Sequence, residues 1–460
     1  MLTESLKAAL LKMRQYHSAG LTRQYRFRRQ QILTLKHAVL RNETRINRAL
    51  YEDLRKTPEE VWVTETGLLL QEINHTLKHL KRWMRPERVG TNLLNLPSIS
   101  YVNPSPKGVV LIVGTWNFPL QLLLIPFVGA LASGNCAVLK PSEYAPATAA
   151  VIAKVIAEIF PKELALVVEG DGAEIVPAMM SNFRFDHVFY TGSASVGKSI
   201  YQMAAKELVP VTLELGGKNP CIIEKDADLR VAARRIAVGK FTNAGQMCVS
   251  PDYLLAHADV KDALIDLIHT NIVRFYDSHL ADRYTYGKIV NEKRFDKLVS
   301  YLAEGKVVAG GEYDRSKLFI APTLLDNVAL EASIMQEEIF GPILPVFSFR
   351  TDAEAINIIN RNPDPLSFYV FTSSGRREKE WLEKTQFGTA CVNNAAWQFT
   401  NHYLPFGGVG QSGMGAYHGK HSFDVFTHRK AIMKTAAWFD PAVKYPPLQG
   451  KLKLLKWIVG

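Results

Sequence analysis

Cysteine is scarce in this chain. Four in 460 residues, at Cys136, Cys221, Cys248 and Cys391, are too few and too widely spaced for a disulfide framework. They sit in or beside apolar segments, where a reduced thiol is either a small core hydrophobe or a chemical tool. Long apolar runs are missing too. The longest, residues 120–133, is broken by Gln121 and Pro126 and falls short of the ~20 residues a spanning helix needs. The N-terminus carries Glu4 and has no compact apolar core or small-residue cleavage site, which argues against a secretory signal. Its arginine-rich, acid-poor character would suit a transit peptide, but Leu2, Leu6, Leu10 and Met13 run on into further helical pattern. The expectation is a folded cytoplasmic protein.

Internal repeats and low-complexity tracts are absent as well. At 47% hydrophobic and 22% charged residues the composition supports sizeable cores and excludes a disordered tail or a collagen-like repeat. Lys+Arg 55 against Asp+Glu 44 leaves a net charge of +11, unevenly spread. Arg23, Arg26, Arg28, Arg29, Lys36, Arg41, Arg45 and Arg48 face a single Glu43. Such a cluster suits phosphates, yet no interleaved aromatics accompany it. Leu33, Leu40 and Leu50 recur at roughly helical spacing, so it reads as the solvated face of a helix, with no nucleic-acid partner.

Residues 1 to about 85 carry helical periodicity. Pro86, Gly90, Pro97, Pro104 and Pro106 then mark loop or edge strand. From Gly108 short β-rich runs (109–113, 137–140, 164–168, 187–191, 211–215) alternate with helical ones (120–132, 147–160, 173–180, 196–206). Alternation of this kind builds a parallel sheet wrapped by helices. A second block follows, with strands at 220–223, 253–256 and 344–349 and helices near 229–240 and 260–276. Two α/β domains are expected. Residues 405–419 hold six of the 30 glycines, too many for any regular element.

Four local patterns invite chemistry. Residues 192–199, GSASVGKS, match a phosphate-cradling loop of the GxxxxGK[ST] type, following a strand and opening a helix. No strand ending in a magnesium-holding aspartate follows at a natural spacing, and a plain αβ turn or a dinucleotide loop fits equally. Cys248, between Gly245 and Pro251, belongs to a loop after a helix, where functional residues gather; the alternative is an inert buried thiol. Glu214 lies in an apolar strand before Gly216 and Gly217. Burial there would raise its pKa toward that of a general base, unless a lysine pairs with it. Asn117 follows the strand 109–113 and either aims its amide into the crevice or caps the next helix. His75 and His79 stand four apart on a helix, but without an HExxH glutamate or nearby cysteines they indicate no metal site.

Seven motifs occur in order: WNFP at 116–119, KPSE at 140–143, TGS at 191–193, ELGGK at 214–218, GQMC at 245–248, EEIFGP at 337–342 and PFGGVGQSGMGAYHG at 405–419. Together they resemble the NAD(P)-dependent aldehyde dehydrogenase superfamily over nearly the whole chain. The run CVSPDY, the SGMGAYHG end and the short N-terminus resemble its class 3 branch of fatty and aromatic aldehyde dehydrogenases. The resemblance implies an α/β fold: a Rossmann-like cofactor domain (1–85 and 107–215), an α/β catalytic domain (216–404), a small β bridging or oligomerisation segment (86–106 and 405–435) and a tail (436–460). It makes the 192–199 match a decoy, packed against a dinucleotide.

The resemblance also assigns roles. Cys248 attacks the aldehyde carbon, and the alkoxide sits between the Asn117 amide and the Cys248 N–H. Hydride leaves for the nicotinamide, and Glu214 activates water to hydrolyse the thioester. Lys140 and Glu143 contact the adenine ribose, Gly192 and Ser193 lie near the pyrophosphate, and Val196 faces the adenine. Glu338 and Phe340 position the nicotinamide ribose and ring; Trp116, Gly197 and Leu215 complete the cofactor contacts. NAD is expected to be preferred and NADP tolerated, with a small-molecule aldehyde as substrate and a homodimer as assembly. Met247 departs from the small or β-branched residue more usual beside the nucleophile. Two rivals are an NTPase built on residues 192–199 and a CoA-acylating relative; the retained Glu214 favours water over CoA. Finally, residues 446–460 interleave Lys451, Lys453 and Lys456 with Leu452, Leu454, Leu455, Trp457, Ile458 and Val459. Such a tail suits an anionic membrane surface or folds back as a helix on the protein.

Overall fold

The computed structural model describes residues 3–276 and 286–459; Leu2 of the expected N-terminal pattern and Gly460 of the tail lie outside them. Two α/β layers form around separate sheets. In the first, Val109–Val113 is central and buried along its whole length, as a strand covered on both faces must be. Cys136–Lys140 and then Ala165–Val167 add on one side, His187–Thr191 and then Val211–Glu214 on the other, all parallel. The chain therefore reverses direction across the sheet between Val109–Val113 and His187–Thr191, and a crevice opens beyond their carboxyl ends.

The helix Gln121–Ser133 is buried on every face, which its nearly unbroken apolar sequence allows. It lies between the sheet and the N-terminal helices Tyr25–Arg41 and Gly67–Trp83. The arginine-rich segment is the outer face of Tyr25–Arg41 and Glu43–Leu54. Its buried side is set by Ile32, Leu35, Val39, Ile46 and Leu50, whereas Leu40 is exposed; the stripe is displaced from the expected one. Arg28 is itself buried, donating to the carbonyls of Thr22 and Ala132.

The second sheet runs Lys306–Ala309, Thr323–Asp326, Ile343–Phe349, Tyr253–His257, Pro220–Ile223, Ser367–Phe371 and Thr389–Val392, parallel except for the first strand. The four strands Lys306–Ala309, Thr323–Asp326, Ser367–Phe371 and Thr389–Val392 had no counterpart among the expected elements; each has five residues or fewer and shows little periodicity of its own.

A third sheet of three antiparallel strands joins Glu87–Val89, Ile99–Pro106 and Thr427–Lys434. The proline-rich segment is thus the middle strand. Glu87–Val89 reaches only Ser100–Val102, so Pro104 and Pro106 fall where this strand has a partner on one side only, as proline requires. The glycine-rich stretch also departs from expectation: Gly413–Met414 forms a short antiparallel strand on Leu213–Glu214. Gly413 has φ +152°, and a Cβ there would stand 2.3 Å from the Leu213 carbonyl, so only glycine permits the pairing. No helix among the described residues is long and apolar enough to cross a membrane. The tail helix Leu452–Val459 folds back near Leu93–Asn95, with Lys444 donating to the Leu96 carbonyl; Trp457 and Leu452 stay 72% and 62% exposed.

Candidate active site

A cleft of about 650 Å³ lies between the first two sheets. Nine of the residues singled out above line it: Trp116, Asn117, Gly192, Ser193, Glu214, Leu215, Cys248, Glu338 and Phe340. Lys140, Glu143, Val196 and Gly197 are not part of that lining. Lys140 is buried behind it, donating to Glu143 and to the Pro141 carbonyl, and Glu143 also accepts from the Gly172 N–H.

Glu214 ends the strand Val211–Glu214. Its backbone is pinned by the Gly192 N–H on one side and by Gly413 on the other. Both carboxylate oxygens are buried with no hydrogen-bond partner among the described residues, so no lysine of those residues forms the alternative structural pair. Burial drives its pKa well above the carboxylate range.

Cys248 follows a tight turn in which Asn243 and Ala244 both take left-handed backbone, φ +53°. Such strain in non-glycine residues persists only where surrounding contacts enforce it. Those contacts are present: Gln246 Nε2 donates to the Asn243 and Lys288 carbonyls, and Asn219 Nδ2 to those of Cys248 and Ser250. The half-buried thiol is pushed up by burial, then by the Glu338 and Glu214 carboxylates, while the N–H groups of Cys248 and Val249 pull the other way. Met247 is buried in the first core and does not line the cleft.

Asn117 does not cap the following helix; Glu65 does, accepting from the Gln121 N–H at 2.9 Å. The Asn117 Nδ2 instead donates to the Gln246 carbonyl at 3.0 Å, and its Oδ1 has no partner among the described residues. Its own carbonyl accepts from Lys56 and Asn243.

Glu338 is pushed up to about 8, by burial first and then by Asp252. A Cβ on Gly216 would stand 1.9 Å from its Oε2, so glycine is what lets this carboxylate lie on the backbone beside the cleft. Phe340, at φ +47°, meets Trp116 edge-on with centroids 5.3 Å apart. Lys218 anchors this wall by pairing with Asp252 and donating to the Ile334 and Glu337 carbonyls. Glycines at 192 and 197 allow close packing where a Cβ would strike Tyr190 and Leu215.

Bare backbone at Gly192 and Ser193, a helix starting at Ala194 and the unpartnered Glu338 Oε1 fit a bound dinucleotide. Lys198 and Ser199 lie inside the helix Ala194–Lys206 and do not line the cleft, which removes the geometry an NTPase loop needs. His75 and His79 pack ring against ring with Trp83 and His402. No group of three or more potential metal ligands occurs among the described residues.

Sequence reasoning gave no role to Asn219, Asn243, Gln246 or the cleft-lining Tyr417, and missed Lys56 and Glu65 altogether. The first four lie inside or beside quoted motifs; the last two carry no local signal.

Residues 3–432 match the aldehyde dehydrogenase family. The chain is 44% identical over 437 residues to the 4,4'-diaponeurosporen-aldehyde dehydrogenase of Staphylococcus aureus, covering 95% of each. It is 39% identical over 450 residues to a dimeric NADP-preferring aldehyde dehydrogenase of Rattus norvegicus, covering 97% of this chain and 99% of that one. A solved structure described as a substrate-bound state of Staphylococcus aureus AldH superposes with a TM-score of 0.97 at 41% identity, covering all of both chains. The chain belongs to the aldehyde dehydrogenase family, on its class 3 branch. It is an NAD(P)-dependent aldehyde dehydrogenase.

Proposed function

We propose that this enzyme oxidises medium- to long-chain aliphatic or aromatic aldehydes to carboxylic acids, with Cys248 as nucleophile, Asn117 as oxyanion donor and Glu214 as the base of hydrolysis. One observation carries the reading: a carboxylate at a strand end and two loop groups, Asn117 and Cys248, meet in one cleft, and Glu214 reaches it with both oxygens unpartnered among the described residues. The apolar lining at Leu122, Leu366 and Phe406 supports an apolar acyl chain.

The Cys248 sulfur forms a bond to the aldehyde carbon while the thiol proton passes to solvent water in the cleft. The oxygen becomes an alkoxide facing the second Nδ2 hydrogen of Asn117, the first being committed to Gln246. NAD(P), when bound, would supply the acceptor for the hydride that leaves this carbon as the adduct becomes a thioester. Glu214 then takes a proton from water and the oxygen bonds to the acyl carbon; the C–S bond breaks with its electron pair staying on sulfur, the thiolate takes the proton back from Glu214 and the acid departs. Burial raises the pKa of Glu214, which makes its carboxylate a stronger proton acceptor than one in water. CoA is not the acceptor in this reading.

Trp116, Gly192, Ser193, Leu215, Glu338 and Phe340 hold the cofactor's pyrophosphate and nicotinamide half. Lys140, Glu143, Val196 and Gly197 extend the site toward the adenosine. Their arrangement favours NAD, with NADP tolerated. The first sheet and its helices form the cofactor domain, the second the catalytic domain, and the three-stranded sheet the bridge of a homodimer. The enzyme works in the cytoplasm, and its lysine-rich tail gives peripheral contact with anionic membranes. Following NADH absorbance across aldehydes of increasing chain length tests the substrate class: kcat/KM should rise with apolar length, and a preference for short polar aldehydes would overturn it.

A further inference from the structure

The N-terminal helices reach the segment that carries Asn117. Lys56, just beyond the helix Glu43–Leu54, is wholly buried. Its Nζ donates to Glu65 Oε1 and to the Asn117 carbonyl, each at 2.8 Å, and lies 4.0 Å from the Phe118 ring centroid. The other Glu65 oxygen accepts from the Gln121 N–H. One buried ion pair therefore grips both ends of residues 117–121, the segment that carries the Asn117 amide.

Glu65 owes its direction to an unusual turn. Trp62–Thr66 is π-helical, and the Gly67 N–H closes it onto the Trp62 carbonyl. A Cβ on Gly67 would stand 2.3 Å from that oxygen, so glycine is what permits the wide turn. π-Turns within α-helices concentrate at functional sites. A buried ion pair adds little net stability over an apolar pair of equal size; its contribution is directional.

We propose that Lys56 and Glu65 are positioning residues of the oxyanion site: their ion pair sets where the Asn117 amide stands when the alkoxide develops. Neither lines the cleft, and both act through Asn117. The inference rests on the reading of Asn117 as oxyanion donor.

The test is a double-mutant cycle on the full chain, with kcat and KM for aldehyde, Kd for NAD by fluorescence titration, and Tm as a check on folding. Lys56→Met should lower kcat about 10–100-fold, the scale of a misplaced donor, with the NAD Kd unchanged. Asn117→Ala should lower kcat at least as far, and Lys56→Met/Asn117→Ala should be no slower than Asn117→Ala alone. Losses that multiply would mean that Lys56 acts elsewhere and would overturn the proposal, as would a folded Lys56→Met with ordinary kcat. Should Lys56→Met not fold, Gly67→Ala disturbs the turn while keeping both charges. It should lower kcat in the same Asn117-dependent way, and full kcat there counts against the proposal. Full activity in Asn117→Ala would instead remove the oxyanion reading itself, and this inference with it.

Discussion

Asn117 and Gln246, 129 residues apart in sequence, are joined by a hydrogen bond from the Asn117 Nδ2 to the Gln246 carbonyl at 3.0 Å. That bond ties the loop after the first central strand to the loop of the nucleophile, two residues before Cys248. It also decides the rotamer of the amide. With one Nδ2 hydrogen committed to the carbonyl, the second is the one that the proposed mechanism gives to the reacting oxygen.

Cys248→Ala should abolish aldehyde oxidation while NAD still binds, because the covalent route loses its nucleophile. Cys136 and Cys221, buried in sheet strands, and Cys391 should each tolerate alanine with packing losses only. Steady-state NADH production with each variant checks this, and substantial turnover in Cys248→Ala would refute the mechanism.

Glu214→Gln should leave a first burst of NADH and slow the steady state by ~10²–10⁴, the range for a positioned base. Stopped-flow absorbance separates the phases. Loss of the burst as well would place Glu214 in activation of the thiol rather than in hydrolysis.

The pH response of Cys248 should depend on Glu338. Burial, then the carboxylates of Glu338 and Glu214, raise the thiol, and burial pushes Glu338 itself up to about 8. Above that pH a second negative charge opposes thiolate formation. In Glu338→Gln this repulsion is gone, so the rise of Cys248 alkylation by iodoacetamide should shift to lower pH and become steeper. A shift to higher pH would contradict the electrostatic account.

NAD should give the higher kcat/KM, with NADP working at a cost. Glu143 is held by Lys140 at 2.9 Å and the Gly172 N–H at 3.3 Å; in the proposed cofactor site its carboxylate would accept from the ribose hydroxyls and repel a 2′-phosphate. Glu143→Gln should narrow the ratio by about tenfold, the effect of removing roughly 1.4 kcal/mol of repulsion. A wild-type enzyme that favours NADP would refute this reading of Glu143.

The tail should bind anionic vesicles. Co-sedimentation with phosphatidylserine-containing liposomes at low and high salt, comparing the full chain with one ending at Tyr445, should show salt-sensitive binding that the truncation weakens. Equal binding by both would leave the exposed arginines of the N-terminal helices as the basic surface responsible.

Much was legible along the chain because it is local. Strand–helix alternation marked the five parallel strands of the first sheet and three of the seven strands of the second, since burial on two faces demands continuous apolar runs. Cys248, Glu214 and Asn117 stood out because a loop thiol, a carboxylate in an apolar strand and an asparagine after a central strand are each conspicuous within a few residues. Their partners are another matter. That Glu214 lacks a lysine, that Asn117 orients on Gln246 instead of capping a helix, and that Glu65 does the capping depend on chain segments 56 to 129 residues distant. Lys56 and Glu65 look in sequence like ordinary surface charges of a helical segment. Only the packing of the N-terminal helices on the helix Gln121–Ser133 removes them from water. A charge stripped of water is bound to the few groups that can satisfy it, so tertiary structure turned two unremarkable residues into the clamp on Asn117.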